Sequence, residues 1–254
     1  MRSEITTIIF SKNRACQLEL LLRGLTLPAT VLYTYDPEFK AGYEKLMGMY
    51  PDIKFVFEKS FKEKLLELLN SAGEYVMFLV DDDIMLDLFT EDCPEFAEFK
   101  RNQDILCLSL RTAPYYKGAP IIVNNTWRWE GAKWSWGYPM SASSHVFRKK
   151  DILPILSGKD AVLDIPNDIE IELIALKTLG KSLMMCFDKP KFISNLANQV
   201  QSKFGFRNLH IPVEELEKRF LEGGRLSLPY MKQCAGKSRR VLMEAAYEWE
   251  KPKI

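Results

Sequence analysis

Tyr75-Val76-Met77-Phe78-Leu79-Val80-Asp81-Asp82-Asp83 is an apolar run that stops abruptly at three carboxylates. A segment with no polar face predicts a strand buried on both sides in a parallel sheet. The residues before it supply the rest of such a sheet. Ile5 to Phe10 is β-branched and apolar and predicts a first strand. The polar loop Ser11-Lys12-Asn13-Arg14 follows, and then Leu18, Leu21, Leu22 and Leu25 at helical i, i+3, i+4, i+7 spacing. Thr30 to Tyr35 predicts a second strand ending at Asp36-Pro37, Tyr43 to Tyr50 a helix, Ile53 to Phe57 a third strand, and Phe61 to Leu69 another helix. Strands alternating with helices argue for an open sheet covered on both faces, with ligands outside the carboxyl ends of the strands. The expected fold class is α/β: a Rossmann-like, mixed, mostly parallel sheet flanked by helices, with a helical C-terminal extension.

Beyond the aspartates the pattern loosens. Ile105 to Leu110 and Ser144 to Arg148 predict strands, and the stretch between them, Tyr115 to Pro139, is rich in Tyr, Trp, Gly and Pro, as a binding region would be. Asp168 to Leu179 predicts a helix, Ser182 to Phe187 a strand, and Val213 to Leu221 and Ser238 to Trp249 helices. With no repeat, low-complexity tract or long linker, one domain with an extension is expected.

Composition removes several classes. The 254 residues are 47% hydrophobic, enough for a sizeable core, and 35 Lys plus Arg against 34 Asp plus Glu give a formal charge of +1. No global field draws such a chain to nucleic acid, which is not expected as a partner. Cysteines at 16, 93, 107, 186 and 234, without a Cys-x-x-Cys pair, fit neither a disulfide framework nor structural zinc and read as reduced thiols. The N-terminus does not read as a signal peptide, and no segment approaches the roughly 18 apolar residues of a membrane span. The expected compartment is the cytoplasm, with peripheral membrane contact left open. The sequon Asn124-Asn125-Thr126 matters only in a secretory lumen.

Side chains alternate faces along a strand, so Asp81 and Asp83 are expected to share a face and Asp82 to point oppositely. Adjacent carboxylates after a buried strand repel one another unless a cation neutralises them or solvent screens them. Mg²⁺ or Mn²⁺ answers this, being held by one or two carboxylates with substrate phosphates completing the shell. Asp81 and Asp83 are thus expected to grip a metal carrying a diphosphate. The plainer reading is an acidic turn capping the segment Ile84 to Phe89.

Phe10-Ser11-Lys12-Asn13-Arg14, Gln17-Leu18-Glu19-Leu20-Leu21-Leu22 and Phe78-Leu79-Val80-Asp81-Asp82-Asp83, with its Asp-x-Asp motif, resemble the nucleotide-sugar-dependent glycosyltransferases of the GT-A fold. The similarity extends to Ser141-Ala142-Ser143-Ser144-His145-Val146-Phe147 and Pro166-Asn167-Asp168-Ile169-Glu170, which look like the acceptor-side strand and acidic helix start of exostosin-like transferases. The resemblance implies that Ser11, Lys12, Asn13 and Arg14 lie against the donor nucleoside. It implies that Asp81, Asp82 and Asp83 reach the ribose and a diphosphate bound to Mn²⁺ or Mg²⁺, and that Asp168 stands beside the reacting sugar. It divides the chain into a donor-binding half (1–110), an acceptor-binding and catalytic half of the same domain (111–200) and a C-terminal loop and helical extension (201–254). Where the family often has Glu-Asp or Asp-Asp, this chain has Asn167-Asp168, which leaves Asp168, Glu170 and Glu172 in competition.

The remaining candidates follow from the chemistry of transfer. A leaving nucleoside diphosphate develops negative charge, which Arg207 on a loop between Gly205 and Gly223-Gly224 would stabilise; the alternative is a solvated basic loop. His210 is a candidate third metal ligand. An inverting enzyme needs a carboxylate to take the acceptor proton. Asp168 is the first choice for it, against a plain helix cap, and Glu172, one turn on, is the reserve. Trp127, Trp129, Trp134 and Trp136 offer aromatic faces for the sugar ring of an acceptor, or else pack as core. The expected activity is metal-dependent transfer of a sugar from a nucleoside diphosphate sugar to a carbohydrate, glycoconjugate or other hydroxyl acceptor. The alternatives are a nucleotidyltransferase and a non-catalytic nucleotide- or carbohydrate-binding module.

Overall fold

The computed structural model describes residues 3–203, 205, 208–234, 240–241 and 249–250. The first four strands and three helices alternate as predicted: β1 (Ile5–Lys12), α1 (Ala15–Gly24), β2 (Ala29–Thr34), α2 (Lys40–Met49), β3 (Lys54–Phe57), α3 (Phe61–Ser71) and β4 (Tyr75–Val80). Then come β5 (Asp83–Met85), α4 (Pro94–Arg101), β6 (Ile105–Ser109), β7 (Thr126–Arg128), β8 (His145–Arg148), α5 (Lys149–Leu156) and α6 (Pro166–Glu172). The chain continues through β9 (Leu183–Cys186), β10 (Phe192–Asn195), α7 (Val213–Leu221), β11 (Arg225–Leu226), α8 (Leu228–Cys234), β12 (Arg240–Val241) and β13 (Trp249–Glu250).

Eight strands form the main sheet in the order β3-β2-β1-β4-β8-β6-β9-β7. The pairs β3-β2, β2-β1, β1-β4 and β6-β9 are parallel; β8 runs antiparallel to both its neighbours, and β7 runs antiparallel to β9. Period-two alternation sorts the core onto two faces. Ile9, Tyr75, Met77, Leu79 and Val146 face one apolar layer, with α1 and α2, while Ile8, Phe10, Val76, Phe78 and Phe147 face the other, with α3 and α5. A register shift between Ile105 and Cys107 puts Leu106 and Cys107 on the same side.

The chain winds outward through β2 and β3, then returns to place β4 on the other side of β1. That reversal opens a crevice between the carboxyl ends of β1 and β4, where open α/β sheets bind ligands. The ends of the two strands are tied, Asp81 N donating to Phe10 O at 3.0 Å.

The expected helix over Asp168 to Leu179 is in fact α6 followed by a 3-10 segment, Leu173–Leu179. The helix expected over Ser238 to Trp249 lies mostly outside the described residues, and its described ends, Arg240–Val241 and Trp249–Glu250, are strands.

Candidate functional site

A cleft of about 1040 Å³ opens at the crevice. Phe10, Ser11, Lys12, Leu32, Thr34 and Glu58 line one end; Arg14, Asp81, Asp82, Arg111, Ser143 and Ser194 line the floor; Trp134, Tyr138, Glu170 and Ile171 line the other end.

The three aspartates do not continue the strand. Asp81 and Asp82 form a turn before β5 begins at Asp83, so the expected sharing of a face by Asp81 and Asp83 is corrected. The carboxylates that act together are Asp81 and Asp82, because one guanidinium serves both: Arg14 Nη1 lies 2.9 Å from Asp81 Oδ1 and 3.4 Å from Asp82 Oδ2. Asp81 Oδ2 accepts from Lys12 N at 3.2 Å, which leaves Asp81 fully engaged. Asp82 Oδ1 makes no hydrogen bond among the described residues, and Asp82 lines the cleft. Burial and the neighbouring Asp81 and Asp83 charges push the Asp82 pKa up, against the pull of Arg14.

Asp83 turns into the wall. It accepts from Ser143 Oγ (2.8 Å), Ser194 Oγ (2.8 Å) and Val80 N (3.1 Å). Arg111 donates to the same two serines, at 2.6 and 3.0 Å, so a second guanidinium balances this carboxylate through shared hydroxyls. Burial still raises the Asp83 pKa. The cation that sequence logic demanded beside three carboxylates is therefore supplied in large part by Arg14 and Arg111.

Metal-holding capacity is consequently narrow. Asp83 is occupied, and His210 is exposed and does not line the cleft, so neither His210 nor Asp83 joins Asp81 as expected. Among the described residues no three His, Cys, Asp or Glu side chains converge on a metal position. The open oxygen of Asp82 fits a hard cation that takes its other ligands from phosphate.

Of the first loop, Ser11 and Lys12 reach the cleft. Ser11 Oγ also meets Tyr43 OH at 2.7 Å. Asn13 does not line the cleft; it holds left-handed backbone (φ 58°) and locks onto Asp36, donating to Oδ2 at 2.6 Å and accepting from Asp36 N at 2.8 Å. Arg14 is itself gripped by Asn198, whose Oδ1 accepts from Arg14 Nε at 2.9 Å and from Gln17 Nε2 at 3.2 Å. Arg207 lies outside the described residues.

At the far end, Asp168 is 1% exposed and absent from the cleft lining. Its Oδ2 accepts from Asp164 N (2.9 Å) and Ile165 N (3.1 Å), and Oδ1 pairs with Lys203 Nζ at 2.5 Å. Burial works to raise its pKa, but these hydrogen bonds and the Lys203 charge outweigh it and hold the group below its ordinary value. Such a carboxylate is a helix-start cap and a poor proton acceptor. Glu172 turns away, accepting from Val162 N at 2.9 Å. Glu170, left in competition by the sequence, is the acid of α6 that lines the cleft; Ala142 N donates to its Oε1 and Tyr138 OH to its Oε2, both at 2.8 Å.

The four tryptophans divide. Trp127, Trp129 and Trp136 are core, 2–4% exposed, with their indole N–H groups donating to the carbonyls of Trp136, Lys181 and Lys117. The acceptor role expected of these three is corrected: aromatic side chains whose polar atom finds a backbone partner bury readily. Trp134 is 67% exposed and lines the cleft.

No family model matches the chain. In sequence it is similar to the bifunctional glycosyltransferase pgtA of Dictyostelium discoideum, 28% identical over 205 residues, covering 65% of this chain. The chain spans about a quarter of that relative's length, 26%. In structure it is similar to residues 1–349 of TarS from S. aureus, with a TM-score of 0.51, 14% identity, and coverage of 76% of this chain and 60% of that one. The fold is GT-A.

Within this GT-A sheet, sequence reading missed Arg111, Ser143, Ser194, Asn198 and Tyr138, and it left Glu170 in competition with Asp168 and Glu172. Arg111 carried a usable signal: it ends the apolar run Ile105 to Leu110 as Asp81 ends Tyr75 to Val80, and both runs stop at the ligand end of the sheet. Ser194 and Asn198 carried none, because β10 pairs with β5 outside the main sheet.

Proposed function

We propose that the chain transfers a sugar from a nucleoside diphosphate donor to a hydroxyl acceptor. The observation that supports this reading is the charge layout of the cleft floor. Two buried guanidiniums, Arg14 and Arg111, stand beside a carboxylate, Asp82, that keeps one oxygen open at the carboxyl ends of β1 and β4. Arg14 and Arg111 offset most of the charge of Asp81, Asp82 and Asp83, so a diphosphate bound there would bring its own cation onto the open oxygen of Asp82. The half-apolar end at Phe10, Leu32 and Thr34 suits the nucleoside, with Ser11 and Lys12 at its edge. A divalent ion, Mn²⁺ or Mg²⁺, would be held by Asp82 and would supply neutralisation of the departing diphosphate. Arg14 positions Asp81 and Asp82, and Asn198 fixes Arg14. Arg111 faces the floor from the opposite side, oriented by Ser143 and Ser194.

A thermal-shift panel of UDP, GDP and their sugar conjugates, each with and without Mn²⁺, tests the reading. A ligand at one hundred times its Kd stabilises the native state by about 2.7 kcal/mol. For a chain of this size that is a rise of roughly 5–10 °C. Absence of a shift with every nucleotide would refute donor binding. Release of free nucleoside diphosphate from the stabilising sugar nucleotide then separates a transferase from a binding module.

A further inference from the structure

The end of the cleft away from Arg14 carries features that donor binding leaves unused. Trp134 presents an indole that is 67% exposed, and its backbone sits at φ 54°, a left-handed conformation that a bulky side chain rarely adopts. The ring is seated on Gly118: a Cβ there would lie 2.3 Å from Trp134 Cζ3. A large apolar ring is thus held out toward solvent instead of folding into the core with Trp127, Trp129 and Trp136. One 3-10 turn later, Tyr138 OH donates to Glu170 Oε2, and Glu170 Oε1 is fixed by Ala142 N, each at 2.8 Å. Trp134, Tyr138 and Glu170 line the same cleft.

The two ends differ in charge. At the donor end and floor Lys12, Arg14 and Arg111 are matched by Glu58, Asp81 and Asp82, whereas the lining at the Trp134 end includes Asp164 and Glu170 and no Lys or Arg among the described residues. An anionic acceptor would meet acidic groups there. A neutral sugar ring matches: one face is apolar enough to stack on an indole, and its rim of hydroxyls suits a carboxylate and a phenol.

Resting on the transferase reading above, we infer that Trp134, Tyr138 and Glu170 form the acceptor subsite, that the acceptor is an uncharged carbohydrate, and that Glu170 takes the proton of its attacking hydroxyl. The acceptor oxygen forms a bond to the donor's anomeric carbon while that carbon's bond to the diphosphate oxygen breaks. The diphosphate departs with the electron pair, and the hydroxyl proton passes to Glu170 Oε2. No other reactant is required.

The test has two arms. Saturation-transfer NMR with a panel of neutral p-nitrophenyl hexosides, and with sn-glycerol 3-phosphate as the anionic competitor, is run on the wild type and on Trp134→Ala and Trp134→Phe. Hexoside binding is expected in the wild type and in Trp134→Phe and at least 10-fold weaker in Trp134→Ala, with calorimetric affinity for UDP or GDP within threefold throughout. No hexoside binding to the wild type, equal binding in Trp134→Ala, or preference for the phosphate each overturns the inference. The second arm measures transfer from UDP-hexoses and GDP-mannose to the bound hexoside. Glu170→Gln is expected to lower kcat at least 100-fold with acceptor KM within threefold and Tm within 2 °C, and Glu170→Asp to recover part of the rate. A silent Glu170→Gln beside an inactive, stable Asp168→Asn would move the proton acceptor to Asp168 and overturn the assignment. Failure of every nucleotide to bind a protein that still binds hexosides would sink the transferase reading instead, and is recognisable as such.

Discussion

Arg14 and Asp81 form a 2.9 Å ion pair in which both side chains are more than nine-tenths buried. The guanidinium leans at once toward Asp82, so a single positive charge reconciles two adjacent carboxylates at the turn after β4. Removing one member of such a pair leaves an uncompensated buried charge.

Arg14→Ala is therefore expected to destabilise the fold by about 3–5 kcal/mol. Arg14→Lys should recover part of this, since an ammonium keeps the charge but cannot reach Asp81, Asp82 and Asn198 together. Urea denaturation monitored by tryptophan fluorescence gives the difference directly. Wild-type midpoints for Arg14→Ala would contradict the pairing.

Asp82→Asn should separate stability from activity. Burial and the flanking carboxylates raise the folded-state pKa of Asp82. Its contribution to stability is therefore complete below the unfolded carboxylate value and lost as pH rises through the folded one. A neutral Asn escapes that loss, so the variant's Tm relative to wild type should rise steadily from about pH 4 to pH 8, while nucleotide-dependent Mn²⁺ binding falls. A relative Tm that falls toward pH 8 would reverse the assignment.

Glu217 predicts a second pH effect, remote from the cleft. Its carboxylate is buried against Gly42, and burial pushes its pKa to about 7. Folding then favours the protonated form, so the stabilisation present below about pH 4.5 declines as pH climbs toward 7. Glu217→Gln should flatten this decline and raise Tm at pH 8. An unchanged pH profile of Tm would count against it.

The tryptophans give a stability contrast. Trp127→Ala should cost about 3–5 kcal/mol, as for a large buried aromatic. Trp134→Ala, on the exposed rim, should stay within about 0.5 kcal/mol. Gly118→Ala should act on the same indole from beneath, because its added Cβ collides with the ring and its φ of 78° disfavours a side chain. Chemical denaturation of the three variants orders them.

The sequence was most legible where one physical rule dominated. Buried parallel strands must be apolar on both faces, which made β1, β2 and β4 readable nearly to the residue, and the Leu spacing of α1 and α3 did the same for their helices. The place of the site was legible for the same reason, since apolar runs end where ligands bind. Its wiring was not. The assumption that Asp81 to Asp83 continue as a strand failed at a two-residue turn, and period-two alternation does not survive a turn. The helix carrying Asp168 and Glu170 starts at Pro166, and which acid faces the cleft depends on Lys203, Tyr138 and the Ala142 amide, all far away in sequence. The tryptophans were ambiguous because burial of an indole turns on whether a carbonyl waits for its N–H, and those carbonyls lie up to 52 residues away.

The floor of the cleft draws on Arg14, Asp81, Arg111, Ser143, Ser194 and Asn198, a set that spans most of the polypeptide. No short contiguous fragment contains the pocket. Occupancy by any small molecule is thus a reporter of complete assembly, and a nascent polypeptide released before Asn198 would be inert however well its opening strands had paired.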